Sequence, residues 1–266
     1  MEKAKKLLTT TLIAAAIGTS STSVMAASTL SEGKLTVGME ITYPPFESYE
    51  GDKVVGFDPE LTALLTNKMG VGYEFSDNKF TGLILGLGAN KFDAVISGMY
   101  IIPDRLKKAD AIPYAKTGAS IMVPKNSDIQ PKTGEDLCGV KVGLQQGTTW
   151  VKTLNDLSTS YCVKNGLKPI IVQEFPTAPE VTQAMMSGNV QAQLEIAGAA
   201  TMFVERTKGR VQISSDTLVF PQTLGIYIKK GNEQLKVELE KAMAEIKADG
   251  SYQQLITKYE LSPVSE

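Results

Sequence analysis

Histidine is absent from this chain. That excludes every catalytic arrangement built on an imidazole base, the serine–histidine and cysteine–histidine pairs included, and it removes the commonest metal ligand. Cysteine is scarce: Cys138 and Cys162 are the two present, too few without histidine for a zinc site. No apolar run is long enough to span a bilayer, the stretch "LLTTTLIAAAIG" at 7–18 being too short. The nucleophile elbow GxSxG does not occur, and "GLGANK" after Leu85 lacks the third glycine of a dinucleotide fingerprint. No metal and no cofactor are therefore expected. A basic surplus is missing as well, since 27 Lys and Arg face 29 Asp and Glu, which argues against nucleic acid or an anionic membrane surface as partner.

What is present begins with an export signature. "MEKAKK" is a basic start, the short apolar stretch follows, "GTSSTS" at 18–23 continues no helix, and "SVMA" ends in small residues, so residues 1–26 read as a signal peptide cleaved after Ala26. Loss of Lys3, Lys5, Lys6 and Glu2 takes the formal charge from −2 to −4. The mature chain is expected in the periplasm, without a lipid anchor because no cysteine stands at the cleavage point. Cys138 and Cys162 suit that oxidising compartment, where a bridge would stabilise by about 3 to 4 kcal/mol in the chain-entropy description.

Along the remaining chain, strands and helices alternate. "KLTVGME" (34–40) alternates as a strand, and "YPPFES" reads as a turn with two aromatic rings. "FDPELTALLTNKMG" reads as a helix with Asp58 as its cap, Pro59 in the first turn, Leu61, Leu64 and Leu65 inward and Gly70 as the stop. A strand near "YEF", a helix over "FTGLILGLGAN" and a near-continuous apolar strand "FDAVISG" complete a βαβαβ series. "GASIMVPK" opens a second series, continued by "KVGLQQGTTW", "PIIVQEF", "APEVTQAMMSG", "NVQAQLEI" and "LGIYIKK". In the last helix Leu235, Leu239, Ala242, Met243 and Ile246 keep helical spacing until Gly250. The whole is α/β, with ligands expected beyond the carboxyl ends of strands and a cleft between two halves, each bearing one anion-friendly turn.

One of those turns is "SGMYIIPDR" (97–105). Arg105 at its end reads either as a charge on a helix start in water or as a bidentate clamp on a carboxylate, helped by backbone N–H groups near Tyr100 and at the "GTT" turn of Gly147, Thr148 and Thr149. The second reading gains weight from three aromatic residues, Tyr43, Phe46 and Phe80, at the edges of other strands.

Five stretches, "VGMEITYPPFES", "VVGFDPELTALL", "NKFDAVISGMYIIPDR", "DLCGVKVGLQQGTT" and "EIKADGSYQQLITKY", occur in this order across the mature chain. Together they resemble the polar amino-acid-binding proteins that serve ABC importers, the extracellular solute-binding proteins of family 3. The resemblance implies a two-lobed periplasmic-binding-protein fold of type II, each lobe a central sheet flanked by helices, joined by two crossover strands and closing on one amino acid. The crossings are expected near Thr117 and Gln222, so that 27–117 with 222–266 form one lobe and 118–221 the other. A monomer that delivers a small amino acid to a membrane permease is implied. So are site roles: Arg105 for the ligand carboxylate, Thr149 and the Tyr100 N–H as its helpers, Tyr43 and Phe80 as the aromatic sandwich, and the Gly98 carbonyl for the ligand ammonium.

The sequence departs from that pattern in two places. Tyr100 stands where Ser or Thr is usual, and the acid that should meet the ammonium falls, on an ungapped count, at Ile196, one place after Glu195. A buried ammonium requires an acceptor, so either Glu195 or Glu40 is expected to take it. Trp150, the sole tryptophan, either crowds the same cleft or belongs to the core of the following helix. Crowding by Tyr43, Phe80, Tyr100 and Trp150 favours a small neutral ligand, and a displaced ammonium acceptor admits the mirror-image hand. The chain also looks close to D-alanine-binding members of the family, which makes D-alanine the favoured ligand, with glycine or small L-amino acids behind it. Two rival readings are a lyase on the same fold, resembling cyclohexadienyl dehydratase with Glu195 as general acid, and a soluble amino-acid sensor module.

Overall fold

A computed structural model describes residues 29–264, so the expected signal segment 1–26 lies outside the described residues. The first half begins with β1 (Lys34–Met39), whose Leu35, Val37 and Met39 are fully buried. A small antiparallel sheet follows, β2 (Thr42–Tyr43), β3 (Glu47–Glu50) and β4 (Lys53–Val55), in the segment read from sequence as a turn. Next come α1 (Phe57–Met69), β5 (Gly72–Asp77), a single turn at Phe80–Gly82 leading into α2 (Leu83–Gly88), β6 (Ala94–Val95) and α3 (Pro103–Leu106). The expected strand "FDAVISG" shrinks to two residues because the chain leaves the sheet at Ile96 and Gly98 takes a left-handed conformation, φ 49°.

The start of α1 also differs from expectation. Gly56 is its N-cap, at φ 129°, and a Cβ there would lie 2.3 Å from the Phe46 carbonyl oxygen, so only glycine fits. Asp58 lies inside the first turn and caps nothing; its Oδ2 accepts from the Gly98 N–H at 2.7 Å instead. At the other end Gly70 closes the helix in the left-handed region, as the sequence implies.

β7 (Ala109–Pro124) is a single strand of 16 residues, although sequence patterning starts a strand only at Gly118. Pro113 interrupts the pattern, yet it is tolerated because the pairing shifts register between Leu224 and Gly225, opposite it. The second half holds β8 (Lys141–Gln145), α4 (Thr149–Leu157), β9 (Ile171–Phe175), α5 (Ala178–Met186), β10 (Ala192–Ile196), α6 (Ala197–Arg206) and β11 (Val211–Ile213). Thr177 caps α5 by accepting from the Glu180 N–H, and Pro179 sits in its first turn. Cys138 and Cys162 are disulfide-bonded, tying the approach to β8 to the segment after α4. β12 (Val219–Lys229), α7 (Glu233–Ala248) and α8 (Ser251–Lys258) then return to the first half. The stripe Leu235, Leu239, Ala242, Met243 and Ile246 of α7 is buried, and the helix packs on α1 and α8.

The strand order of the large sheet is β5-β1-β6-β12-β7-β10-β8-β9, with β11 also on β7. β1 pairs in parallel with β5 and β6 in the first half, and β8 with β9 and β10 in the second. The long antiparallel pair β7 and β12 joins them, with Thr117 opposite Gln222. Beyond that point β7 turns to β10 and β11, so the molecule has two lobes with the two long strands passing between them. Among the described residues no helix is long and apolar enough to cross a membrane, and no cluster of metal-ligating side chains occurs.

Candidate functional site

The carboxyl ends of β1, β6, β8 and β10 converge on one narrow, closely lined pocket. Glu40 follows β1, Tyr43 ends β2, and Gly98 and Tyr100 follow β6. Arg105 comes from α3 and Phe80 from the turn before α2. The other lobe brings Gln145 from the end of β8, Thr148, Thr149 and Trp150 from the start of α4, and Ile196 from the end of β10. Eight of the nine residues singled out as ligand-binding from sequence thus line one cavity; Glu195 does not.

Arg105 is half-buried, and its guanidinium is held in place by carbonyl groups. Nη1 donates to Tyr100 O at 2.7 Å, Nη2 donates to Gly147 O at 2.9 Å across the cleft, and Cζ lies 5.4 Å from the centre of the Phe80 ring. No ion pair among the described residues involves this arginine. Burial lowers its pKa, the direction expected for a cation removed from water without a counter-ion. A fixed, planar cation that faces a cleft and lacks an anion is the geometry that recognises a carboxylate. Beside it, α4 begins at Thr149 with no side chain capping its N–H groups. The Thr148 hydroxyl donates back to Gln145 O at 2.8 Å, and that of Thr149 donates to Gln222 Oε1 on β12 at 3.4 Å.

The two acids weighed for the ligand ammonium sit in different surroundings. Glu195 is fully buried behind Tyr43, whose hydroxyl donates to Oε2 at 2.7 Å, while Gln193 Nε2 donates to Oε1 at 2.8 Å. The Tyr43 hydroxyl also accepts from the Ile196 N–H at 3.3 Å, so Tyr43 bridges the lobes. Burial pushes the Glu195 carboxyl up to about 7, with Glu40 adding repulsion and the bonds from Tyr43 and Gln193 opposing. Its neighbour Ile196 faces the cavity, as the alternation of a strand requires. Glu40 lines the cavity, accepts from Gln145 Nε2 across the cleft and from the Phe80 N–H at 3.3 Å, and is likewise shifted upward by burial.

Trp150 satisfies both of its sequence readings, since it lines the cavity, belongs to the buried core and is 3% exposed. Its ring meets Tyr100 edge-on at 5.8 Å. Three lining residues escaped sequence reasoning as site residues. Gln145 stands at the carboxyl end of a strand, the position where α/β folds place ligands, and that rule alone points to it. Ile196 carried the displaced family position but not a role. Glu47 sits inside a quoted stretch yet looks like a turn acid; it is fully buried, accepts from Ser97 Oγ at 2.6 Å, and is pushed well up by burial and by the adjacent Asp58.

A profile of the bacterial extracellular solute-binding proteins, family 3, matches residues 35–262. The L-cystine-binding protein TcyJ of Escherichia coli (strain K12) is 31% identical over 230 residues, 85% of this chain and 82% of its own length. An ancestral arginine-binding protein bound to glutamine superimposes with a TM-score of 0.76 at 34% identity, covering 85% of this chain and 97% of that one. The ancestral amino acid-binding protein AncCDT-1, a precursor of cyclohexadienyl dehydratase, reaches a TM-score of 0.73 at 31% identity, covering 85% and 95%.

Proposed function

Because the chain belongs to the bacterial extracellular solute-binding proteins of family 3, we propose that it captures a small neutral amino acid, D-alanine foremost, between its lobes and delivers it to an ABC importer. The observation that carries this reading is the Arg105 guanidinium, held at the cleft by the Tyr100 and Gly147 carbonyls and paired with no carboxylate. The free amino acid supplies the missing anion, with the uncapped start of α4 and the backbone N–H of Tyr100 assisting. Tyr43 and Phe80 flank the ligand, and the Gly98 carbonyl accepts from its ammonium.

The hand follows from where the acid stands. Glu40 lies on the cavity wall, whereas Ile196 occupies the place where the family pattern expects the ammonium's acid. With the carboxylate on Arg105, an ammonium drawn to Glu40 leaves the side chain against Ile196. Exchanging those two substituents at a fixed carboxylate inverts the stereocentre, which favours a D-amino acid with a short side chain. Glu195 serves closure instead, through its bond with Tyr43.

The lobes divide at Thr117 and Gln222, with 27–117 and 222–266 forming one and 118–221 the other. The ligand bridges them, so each contact to the second lobe favours the closed state, the shape an importer reads. The periplasm, reached through cleavage after Ala26, is the compartment this role requires. The lyase reading draws on the raised Glu195 carboxyl, but that carboxyl is turned away from the cavity behind Tyr43, and binding without chemistry accounts better for the site.

A thermal-shift screen of both enantiomers of the amino acids tests the reading, because a ligand that binds only the native state raises the unfolding midpoint. A clear rise with D-alanine and a smaller one with L-alanine is expected. A rise confined to long or charged L-amino acids would overturn it.

A further inference from the structure

Most buried polar atoms in this protein are paired, so the exceptions point to what the site lacks. Three buried side-chain polar atoms without a partner among the described residues belong to this one pocket: Glu47 Oε2, Tyr100 Oη and Trp150 Nε1. Glu47 is held through its other oxygen, which accepts from Ser97 Oγ at 2.6 Å, and burial beside Asp58 pushes its pKa well up. Tyr100 and Trp150, 4% and 3% exposed with rings in edge contact, have no such explanation.

The chemistry of the two groups restricts what can satisfy them. An indole N–H only donates, so it cannot hold the ligand ammonium. The ligand carboxylate offers about four acceptor positions. On the reading above, Arg105, the Tyr100 N–H and the start of α4 occupy them. Trp150 therefore requires an acceptor that a methyl side chain does not supply. A hydroxyl one carbon from the stereocentre accepts from Trp150 Nε1 and exchanges a second bond with Tyr100 Oη, in a cavity crowded by those same rings. A longer polar chain meets the wall formed by Ile196.

We infer that Trp150 and Tyr100 make this pocket selective for a small amino acid with a hydroxyl on its β-carbon, the serine class, over its alanine counterpart of the same hand. The inference rests on the amino-acid-binding reading and refines it, placing serine ahead of the alanine of the same hand that the reading above puts first. Neither residue takes part in holding the carboxylate through its side chain, so their loss acts on the ratio between ligands.

Calorimetric titration of the mature protein with alanine and serine, each in both hands, is the test, on the wild type and on Trp150→Phe and Tyr100→Phe. In the preferred hand serine binds about tenfold or more tighter than alanine in the wild type, and either substitution brings that ratio close to one. Trp150 is the sole tryptophan, so its emission also moves more with serine than with alanine. Should Trp150→Phe fold poorly, the wild-type ratio and Tyr100→Phe carry the test. Alanine bound as tightly as serine by the wild type, as when a water serves the indole, overturns the selectivity and leaves the amino-acid reading intact. Binding of neither overturns both.

Discussion

The folded chain holds the Glu195 proton up to a higher pH than the unfolded chain does, and this sets its effect on stability. Burial raises its carboxyl to about 7, above the ordinary value of 4.5. The folded form therefore binds the proton more tightly, and this stabilisation is complete below pH 4.5 and lost as pH rises through 7. Replacing Glu195 by Gln keeps a hydrogen-bonding group but removes the titration. Urea unfolding at pH 4.5, 6 and 8 should show the variant gaining on the wild type as pH rises, by up to about 3 kcal/mol. A difference that stays constant across that range would contradict the assignment. At this scale the gathering of Arg105, Tyr43 and Phe80 at one pocket was legible because all three sit beside turns with strong local signals. Direction was not: whether position 195 or 196 faces the cavity depends on the phase of a strand that is buried throughout. Asp58 shows the same limit, since its carboxylate serves Gly98, forty residues away, in place of its own helix.

Elements whose pattern is internal were read well, and those stabilised from a distance were not. α7 announces itself through a buried stripe at helical spacing, whereas β7 is continuous only because β12 accommodates Pro113 by a shift in register. The short strands β2 to β4 hold too few residues for any period to emerge. Two consequences belong here. The Cys138–Cys162 bond closes a segment of sequence separation 24, and replacing both by Ser should cost about 3 to 4 kcal/mol, read as a lower midpoint in denaturant. An unchanged midpoint would show that the reduced chain is already constrained there. Gly98 combines φ 49° with a virtual Cβ 3.4 Å from the Tyr43 ring, at the residue whose N–H Asp58 holds. Gly98→Ala should lose about 1 kcal/mol or more of stability and weaken ligand binding together, in unfolding and titration experiments on the same sample.

For the whole molecule, three contacts across the cleft matter most: Arg105 to Gly147 O, Glu40 to Gln145, and Tyr43 to Glu195. Each joins the two lobes that β7 and β12 connect, so closure responds to these polar groups. Removing the Tyr43 hydroxyl by Tyr43→Phe leaves Glu195 short of a donor and should favour the open form, weakening binding by about tenfold with the ring contact retained. Titration of the variant checks this, and unchanged affinity would place the hydroxyl outside the closing equilibrium. The α/β class was legible in the ordered series of strands and helices, because local patterning sets element order, and the two-lobed arrangement in the family resemblance of five ordered stretches. Which groups meet across the cleft was not, because that depends on how the two lobes face each other.

Everything in the functional reading converges on the acid end of a free amino acid meeting Arg105. The direct measurement is calorimetry of D-alanine and of D-alaninamide, which lacks the carboxylate, on the wild type and on Arg105→Met. The account predicts heat of binding for D-alanine on the wild type, and none for the amide or for either ligand on the variant. Equal binding of acid and amide, or binding of D-alanine undiminished by Arg105→Met, would contradict it.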